Sequence, residues 1–265
     1  MNGVRHFLLA LQFFTRIPVT GGLAGWVGFS PAMLRASAAH FPGVGWLVGA
    51  VGAGVFVAAR SGLPGWGGAC VAALLSTVAT VLMTGAFHED GLADVADGLG
   101  GSADRLRALE IMKDSRIGAF GAIALVLALA LKVLLLAALA AQGALAVALA
   151  LVSAHVLSRL APLFLIRWLA YVGDADGASK AKPLADAIGT GALLVALAWS
   201  IPAVLLLMGV HGLGHGAAAL GLCALAALWM ARLLRRRLHG FTGDGLGATQ
   251  QLCEIAIYLA LAWQL

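Results

Sequence analysis

Long apolar runs separated by short polar segments dominate this chain. Seven runs are long enough, or nearly long enough, to cross a hydrocarbon layer of roughly 30 Å. They lie at residues 42–59, 66–87, 118–140, 144–170, 189–210, 216–234 and 248–264. A backbone in lipid must satisfy its own hydrogen bonds, so such runs form helices. We therefore predict an all-α fold: a polytopic transmembrane helical bundle of about seven spans, in a single membrane domain over residues 1–265.

The first residues have an amphipathic pattern instead. Arg5, Gln12 and Arg16 fall on one side of a helix. The opposite side carries Phe7, Leu8, Leu11 and Phe14. This pattern predicts an N-terminal interfacial helix over residues 3–17 that lies on the membrane and ends before Pro18. We expect this segment not to be cleaved, because it lacks the pattern of a signal peptide.

Composition and charge set the membrane orientation. The chain is 62% hydrophobic and 11% charged, whereas about a quarter of residues are charged in soluble domains. If the spans alternate, three long polar loops (88–117, 171–188 and 235–247) share one side with the N-terminus. Nearly every loop Arg and Lys lies there, and Arg60 alone lies opposite. This asymmetry predicts a cytoplasmic working face, and it explains the net charge of +5 without a nucleic-acid partner.

Four carboxylates follow the second run closely. Asp90, Asp94 and Asp97 are spaced i, i+4, i+7, which places them within an arc of roughly 60° on a helix, with Glu89 to one side. Like charges at this spacing repel. A divalent cation with oxygen ligands, Mg²⁺ or Mn²⁺, would neutralise them. We predict that all four are metal ligands; the alternative is a solvated acidic turn.

The same loop continues with alternating acids and bases. Glu110 and Asp114 are four residues apart, and Lys113 and Arg116 are three apart. A metal-bound phosphate requires groups of both signs, although a helix with surface ion pairs would show the same pattern. We assign substrate phosphates to Arg105, Lys113 and Arg116, and catalytic roles to Asp94, Asp97 and Asp114.

Further polar residues interrupt the later apolar runs. His155 and Arg159 share a helix face inside a span, where an arginine is expensive unless it meets an anion or snorkels to the interface. Thr242, Asp244 and Gln250 stand among glycines that permit close approach of a ligand, although Asp244 could simply cap a helix. We assign these five residues, together with His88, to substrate binding.

One carboxylate lies within the last run. Glu254 has apolar neighbours on both sides. A carboxylate within the membrane needs a partner that neutralises its charge. The candidates are Arg159 and Lys132, each of which also lies within a predicted span.

Three motifs resemble those of one family. They are HEDGLADVADGLGG at 88–101, RALEIMKDSRIGAFG at 107–121 and GFTGDGLGATQQLCE at 240–254. Together with FLLALQFFTRIP at 7–18 and AHFPGVGWLVG at 39–49, they resemble the cobalamin synthase family, the adenosylcobinamide-GDP ribazoletransferases.

The resemblance implies a transferase of the bacterial cytoplasmic (inner) membrane. Such an enzyme joins adenosylcobinamide-GDP to α-ribazole or its 5′-phosphate, with release of GMP and with Mg²⁺ as cofactor. These are the last steps of nucleotide-loop assembly in vitamin B12. The lipid bilayer is then a further partner, and a monomer and an oligomer both stay open.

Two other functions fit parts of the pattern. The carboxylate stripe is similar to the metal motif of CDP-alcohol phosphotransferases, whose acceptor is a lipid, but the arginine of that motif has no counterpart here. A cation-coupled transporter would place its carboxylates near the midplane of repeated, broken helices. The acidic cluster instead lies at the edge of a loop.

Overall fold

A computed structural model describes residues 2–173 and 188–263. Its regular secondary structure is helical, apart from one isolated bridge between Tyr171 and Phe241. The described helices, in chain order, are α1 (Asn2–Phe14), α2 (Gly21–Val27), α3 (Pro31–Ser37), α4 (Phe41–Gly62), α5 (Gly65–Thr84), α6 (Phe87–Gly101), α7 (Arg105–Met112), α8 (Ala119–Leu139), α9 (Ala144–Trp168), α10 (Thr190–Leu238) and α11 (Gly243–Ala262). The all-α prediction is confirmed. Most of the predicted loop at 171–188 lies outside the described residues.

Five helical segments are long and apolar enough to cross a membrane. They are Pro31–Gly62, Gly65–Thr84, Ala119–Gln142, Ala144–Trp168 and Thr190–Leu238. A helical membrane bundle is therefore confirmed, whereas the count of about seven spans stays a prediction. The first helix also forms as expected, with Leu9, Leu11 and Phe14 buried against the bundle.

The longest helix, α10, contains a break that corresponds to two predicted runs. Its 49 residues would extend about 74 Å if straight, more than twice the thickness of the hydrocarbon layer. Gly212 has a φ of 83° and interrupts the helical backbone. A Cβ atom placed on Gly216 would lie 2.8 Å from Cγ of Met208. Residues eight apart in a straight helix are about 12 Å apart, so the chain turns back at Gly212.

Hydrogen bonds show which loops share an end of the bundle. The backbone N–H of Arg16 donates to the carbonyl of Met83 at 2.7 Å, which joins the end of α1 to the end of α5. Nε of Arg105 donates to the carbonyl of Leu238 at 2.7 Å, which joins α7 to the end of α10. At the opposite end, Nε2 of Gln142 donates to the carbonyl of Leu261 at 3.1 Å. We call the first of these the loop end; it carries α6, α7 and the start of α11.

Small residues allow α4 and α9 to approach closely, as in many membrane helix pairs. A Cβ atom on Gly45 would overlap the carbonyl oxygen of His155, and one on Gly49 would lie 2.6 Å from Cα of Val152. Both obstacles are backbone, which cannot move aside as a flexible side chain can. The contact therefore fixes α9, which carries His155 and Arg159.

This contact predicts a difference between glycines of the same helix. Gly45→Ala and Gly49→Ala should each lower stability by about 1–3 kcal/mol through overpacking. Gly54 is the matched control, because a Cβ atom there meets nothing within 4 Å. Gly54→Ala should be neutral or stabilising by up to ~1 kcal/mol, since alanine favours helix. Thermal unfolding in detergent tests this; a Gly49→Ala variant as stable as Gly54→Ala would contradict it.

Candidate active site

A tight reversal places α6 at the loop end. Gly85 and Ala86 have φ values of 66° and 59°, so both adopt the left-handed conformation between α5 and α6. Alanine rarely does so, and such positions occur where the surrounding structure requires them. The reversal turns the chain out of α5 directly into the carboxylate-bearing helix.

Glycines bring α6 against the start of α11. A Cβ atom on Gly91 would lie 2.8 Å from the carbonyl oxygen of Asp244, and one on Gly247 would lie 3.3 Å from Cα of His88. Glycine at Gly91 therefore permits a backbone approach that a Cβ atom would prevent, and at Gly247 a Cβ atom would be tightly packed. As a result, Asp244 comes next to the carboxylates of α6.

Thr242, rather than Asp244, caps α11. Its side-chain oxygen accepts a hydrogen bond from the N–H of Gly245 at 3.0 Å. Thr242 thus has a structural role within the motif where we predicted substrate binding. Asp244 lies in the first turn of the helix.

Asp90, Asp94 and Asp244 form a carboxylate cluster. Burial, followed by the negative charges of Asp244, Asp90 and Asp97, raises the pKa of Asp94 to about 7. Burial and the charge of Asp90 raise the pKa of Asp244 to about 6, although hydrogen bonds partly oppose this shift. Burial and neighbouring negative charge thus disfavour the anionic forms of Asp94 and Asp244. A bound cation would reverse that effect.

The other two predicted metal ligands have protein partners. Both carboxylate oxygens of Asp97 accept backbone hydrogen bonds at the start of α8, from Gly118 at 2.7 Å and Gly121 at 2.8 Å. Oε1 of Glu89 accepts from Nε2 of Gln251 at 3.0 Å, while its buried Oε2 has no partner. In the described part of the chain, no three Asp, Glu, His or Cys side chains form a ready metal-binding group. The metal assignment therefore stays a prediction.

The predicted phosphate-binding residues on α7 and in the turn after it lie closer to solvent than the carboxylate cluster does. Arg116 pairs with Asp114 at 2.6 Å, and its side chain is 88% exposed. Hydrogen bonds from Arg116 lower the pKa of Asp114 to about 2. Arg105 donates to the backbone of α10 as described above, and Lys113 follows the last residue of α7. The pairing of Arg116 with Asp114 matches the surface ion-pair alternative, while their roles towards substrate stay predictions.

A polar network crosses the interior of the bundle. Glu254 is 1% exposed, and its Oε1 lies 3.1 Å from Nζ of Lys132. The hydroxyl of Tyr258 donates to the same oxygen at 3.1 Å, and Nε2 of Gln250 donates to Oε2 at 2.8 Å. Lys132 is thus confirmed as the partner of Glu254.

Arg159 points into the protein. It is 4% exposed, so it does not snorkel to a surface. Its Nη1 lies 3.0 Å from Nδ1 of His155 and donates to the carbonyl of His155 at 2.9 Å. Its Nε is buried and has no hydrogen-bond partner. An unsatisfied, charged donor in this position indicates an anionic or polar ligand.

An aromatic pocket lies beside these groups, and the sequence analysis missed it. The described residues that line it are Phe13, Phe14, Phe41, Phe87, His88, Arg159, Pro162, Tyr171, Phe241, Gly243, Leu246, Gly247 and Gln250. It adjoins the carboxylate cluster, because His88 lies two residues before Asp90 and Gly243 directly precedes Asp244. In so apolar a chain, phenylalanines resemble ordinary packing residues. Their one sequence signal is their place in or directly beside the motifs; Phe87 precedes His88, and Phe241 precedes Thr242.

Comparison with known proteins identifies a family. The family model for cobalamin-5-phosphate synthase matches residues 6–262. A protein of Albidiferax ferrireducens named adenosylcobinamide-GDP ribazoletransferase is 58% identical, with 98% of each chain covered. A protein of Leptothrix cholodnii with the same name is 50% identical over 98% of this chain and 95% of its own. Another from Azorhizobium caulinodans is 47% identical over 95% and 93%. No solved structure shows a significant match.

Proposed function

The chain belongs to the cobalamin-5-phosphate synthase family, and on that premise we propose that its active site lies between α6 and α11. The protein is a transferase that joins adenosylcobinamide-GDP to ribazole in the assembly of vitamin B12. This function replaces the lipid-enzyme and transporter alternatives. The carboxylate cluster carries the proposed location, because Asp90, Asp94 and Asp244 interact electrostatically and Asp244 directly follows Gly243, which lines the aromatic pocket.

The carboxylate cluster fits Mg²⁺. Its ligands are hard oxygens, which this ion prefers. Burial, together with their mutual repulsion, raises the pKa values of Asp94 and Asp244. Asp90 and Asp94, of the four predicted ligands, together with Asp244 would hold the ion. Mg²⁺ at this position supplies neutralisation of the negative charge on the pyrophosphate of the nucleotide substrate.

The remaining acidic residues act in support. Asp97 holds the start of α8 through its two backbone hydrogen bonds. Glu89 fixes α6 to Gln251 of α11. Both residues therefore position the carboxylate cluster. The direct catalytic role is assigned to Asp94 and to Asp114 in the turn after α7. Arg159, with its unpaired buried Nε, binds the anionic part of a substrate. The exposed Lys113 and Arg116, together with the half-buried Arg105, attract phosphate to the loop end. GMP is the leaving group in this scheme.

Purified protein in detergent tests the proposal. Adenosylcobinamide-GDP, α-ribazole and Mg²⁺ should give GMP and a joined corrinoid in equal amounts. Asp94→Asn and Asp244→Asn should lower turnover roughly 100-fold or more, because charge stabilisation in the transition state is lost. Glu110→Gln is the matched control: Glu110 forms an exposed ion pair with Arg107, and such pairs contribute little. Near wild-type turnover in both aspartate variants would remove the cluster from the site.

The loop end faces the cytoplasm of the bacterial inner membrane in this proposal. Support comes from the one-sided distribution of Arg and Lys, with Arg60 alone at the opposite end. Both substrates are large and polar, so they would reach the site from water. Reporter fusions after residues 63, 142 and 213 should report the periplasmic side. A cytoplasmic signal from one of them would contradict the orientation there and leave the site itself unaffected.

A further inference from the structure

The aromatic pocket is built by segments that are far apart in the sequence. Phe14 of α1 is 4.3 Å from Phe41 at the start of α4 and 5.5 Å from Phe87 at the start of α6, measured between ring centroids. On the other wall, the Tyr171 and Phe241 rings are 5.5 Å apart. The backbone bridge between these two residues fixes that wall. Separate elements thus converge on one ring-lined space.

The floor of the pocket is polar and incompletely satisfied. Arg159 and Gln250 reach it from the interior of the bundle, and His88 reaches it from α6. All three are more than nine-tenths buried. Nε of Arg159 and Nδ1 of His88 have no hydrogen-bond partner. A buried polar atom without a partner is costly. The Arg159 donor therefore points to a ligand that carries oxygen atoms, and the ring-lined walls point to a planar group beside those oxygens.

The apolar walls of the pocket fit the ring system of one substrate better than those of the other. Guanine displays several hydrogen-bond donors and acceptors along its edge, and a corrin ring is surrounded by polar amide side chains. Phenylalanine walls would leave those groups unsatisfied. The base of ribazole is a dimethylated benzimidazole, which is flat and apolar apart from its ring nitrogens. The space between the pocket walls is about 570 Å³ when the part that opens to solvent is counted.

We propose that the aromatic pocket binds the benzimidazole base of the ribazole acceptor, with Arg159 and His88 directed to the oxygen atoms of its ribose or phosphate. The inference deepens the proposed function and rests on it for the identity of the acceptor. The pocket then places the acceptor against the carboxylate cluster, since His88 lies two residues before Asp90 and Gly243 directly precedes Asp244. The nucleotide substrate approaches the cluster from outside the pocket.

Equilibrium dialysis of α-ribazole against the detergent-purified full chain tests this without turnover. Phe14→Leu and Phe87→Leu keep an apolar side chain and remove a ring. Each should weaken α-ribazole binding about tenfold, the size expected for loss of one aromatic stacking partner. Phe56→Leu is the matched control, because Phe56 is fully buried in α4 and does not line the pocket. It should bind as the wild type does.

Steady-state kinetics supplies the second measurement. The KM for α-ribazole should rise about tenfold in the two pocket variants, while the KM for adenosylcobinamide-GDP should stay within about twofold. Guanosine should not displace α-ribazole. The proposal is overturned if the pocket variants bind α-ribazole as Phe56→Leu does, or if only the KM for adenosylcobinamide-GDP rises.

The two proposals can fail separately. Wild-type protein that binds α-ribazole through Phe14 and Phe87 but makes no joined corrinoid would refute the function and keep the pocket. Active protein whose α-ribazole binding is unchanged when Phe14 or Phe87 is replaced would refute the pocket proposal and keep the function. Phe87 is 39% exposed, so Phe87→Leu should fold even where Phe14→Leu does not.

Discussion

A charged side chain inside a membrane bundle must be neutralised by the protein. In this bundle the buried ion pair between Lys132 and Glu254 neutralises both charges. Removing one partner of such a pair would leave an uncompensated buried charge. The pair joins α8 to α11. From α11, Gln251 bonds both Lys132 and Glu89, which ties α6 to the same network. The arrangement of the site at the loop end thus depends on a contact deep in the bundle.

The same constraint distinguishes the acidic residues of this chain by their partners. Glu254 has Lys132, Asp97 has the backbone N–H groups of α8, and Glu89 has Gln251. Within residues 2–173 and 188–263, no Lys or Arg forms an ion pair with Asp90, Asp94 or Asp244. Carboxylates that the fold leaves mutually repelling are costly, and such groups are concentrated at functional sites. This contrast supports the division between a structural and a catalytic set.

Sequence periodicity predicted the helices well and the site only in part. The predicted runs agree with α4, α5, α8, α9 and both halves of α10, because lipid requires long apolar helices. The stripe of Asp90, Asp94 and Asp97 is also present on α6. Periodicity gives the face of a helix but not what lies opposite it. It could not show that Asp97 faces the start of α8, or that glycine contacts bring Asp244 to Asp94. The phenylalanines of the pocket were hidden by the general apolarity of the chain.

Thermal unfolding as a function of pH, with EDTA or Mg²⁺, tests the claim that the carboxylate cluster holds a cation. The folded-state pKa of Asp94 is raised from 3.8 to about 7, so its stabilising contribution is complete below pH 3.8 and is lost as pH rises through 7. In EDTA, the wild-type Tm should fall between about pH 5 and 8, and Mg²⁺ should restore it at the upper end. Asp94→Asn should show a flatter Tm profile and a much smaller response to Mg²⁺. Equal Mg²⁺ responses in wild type and Asp94→Asn would contradict the account.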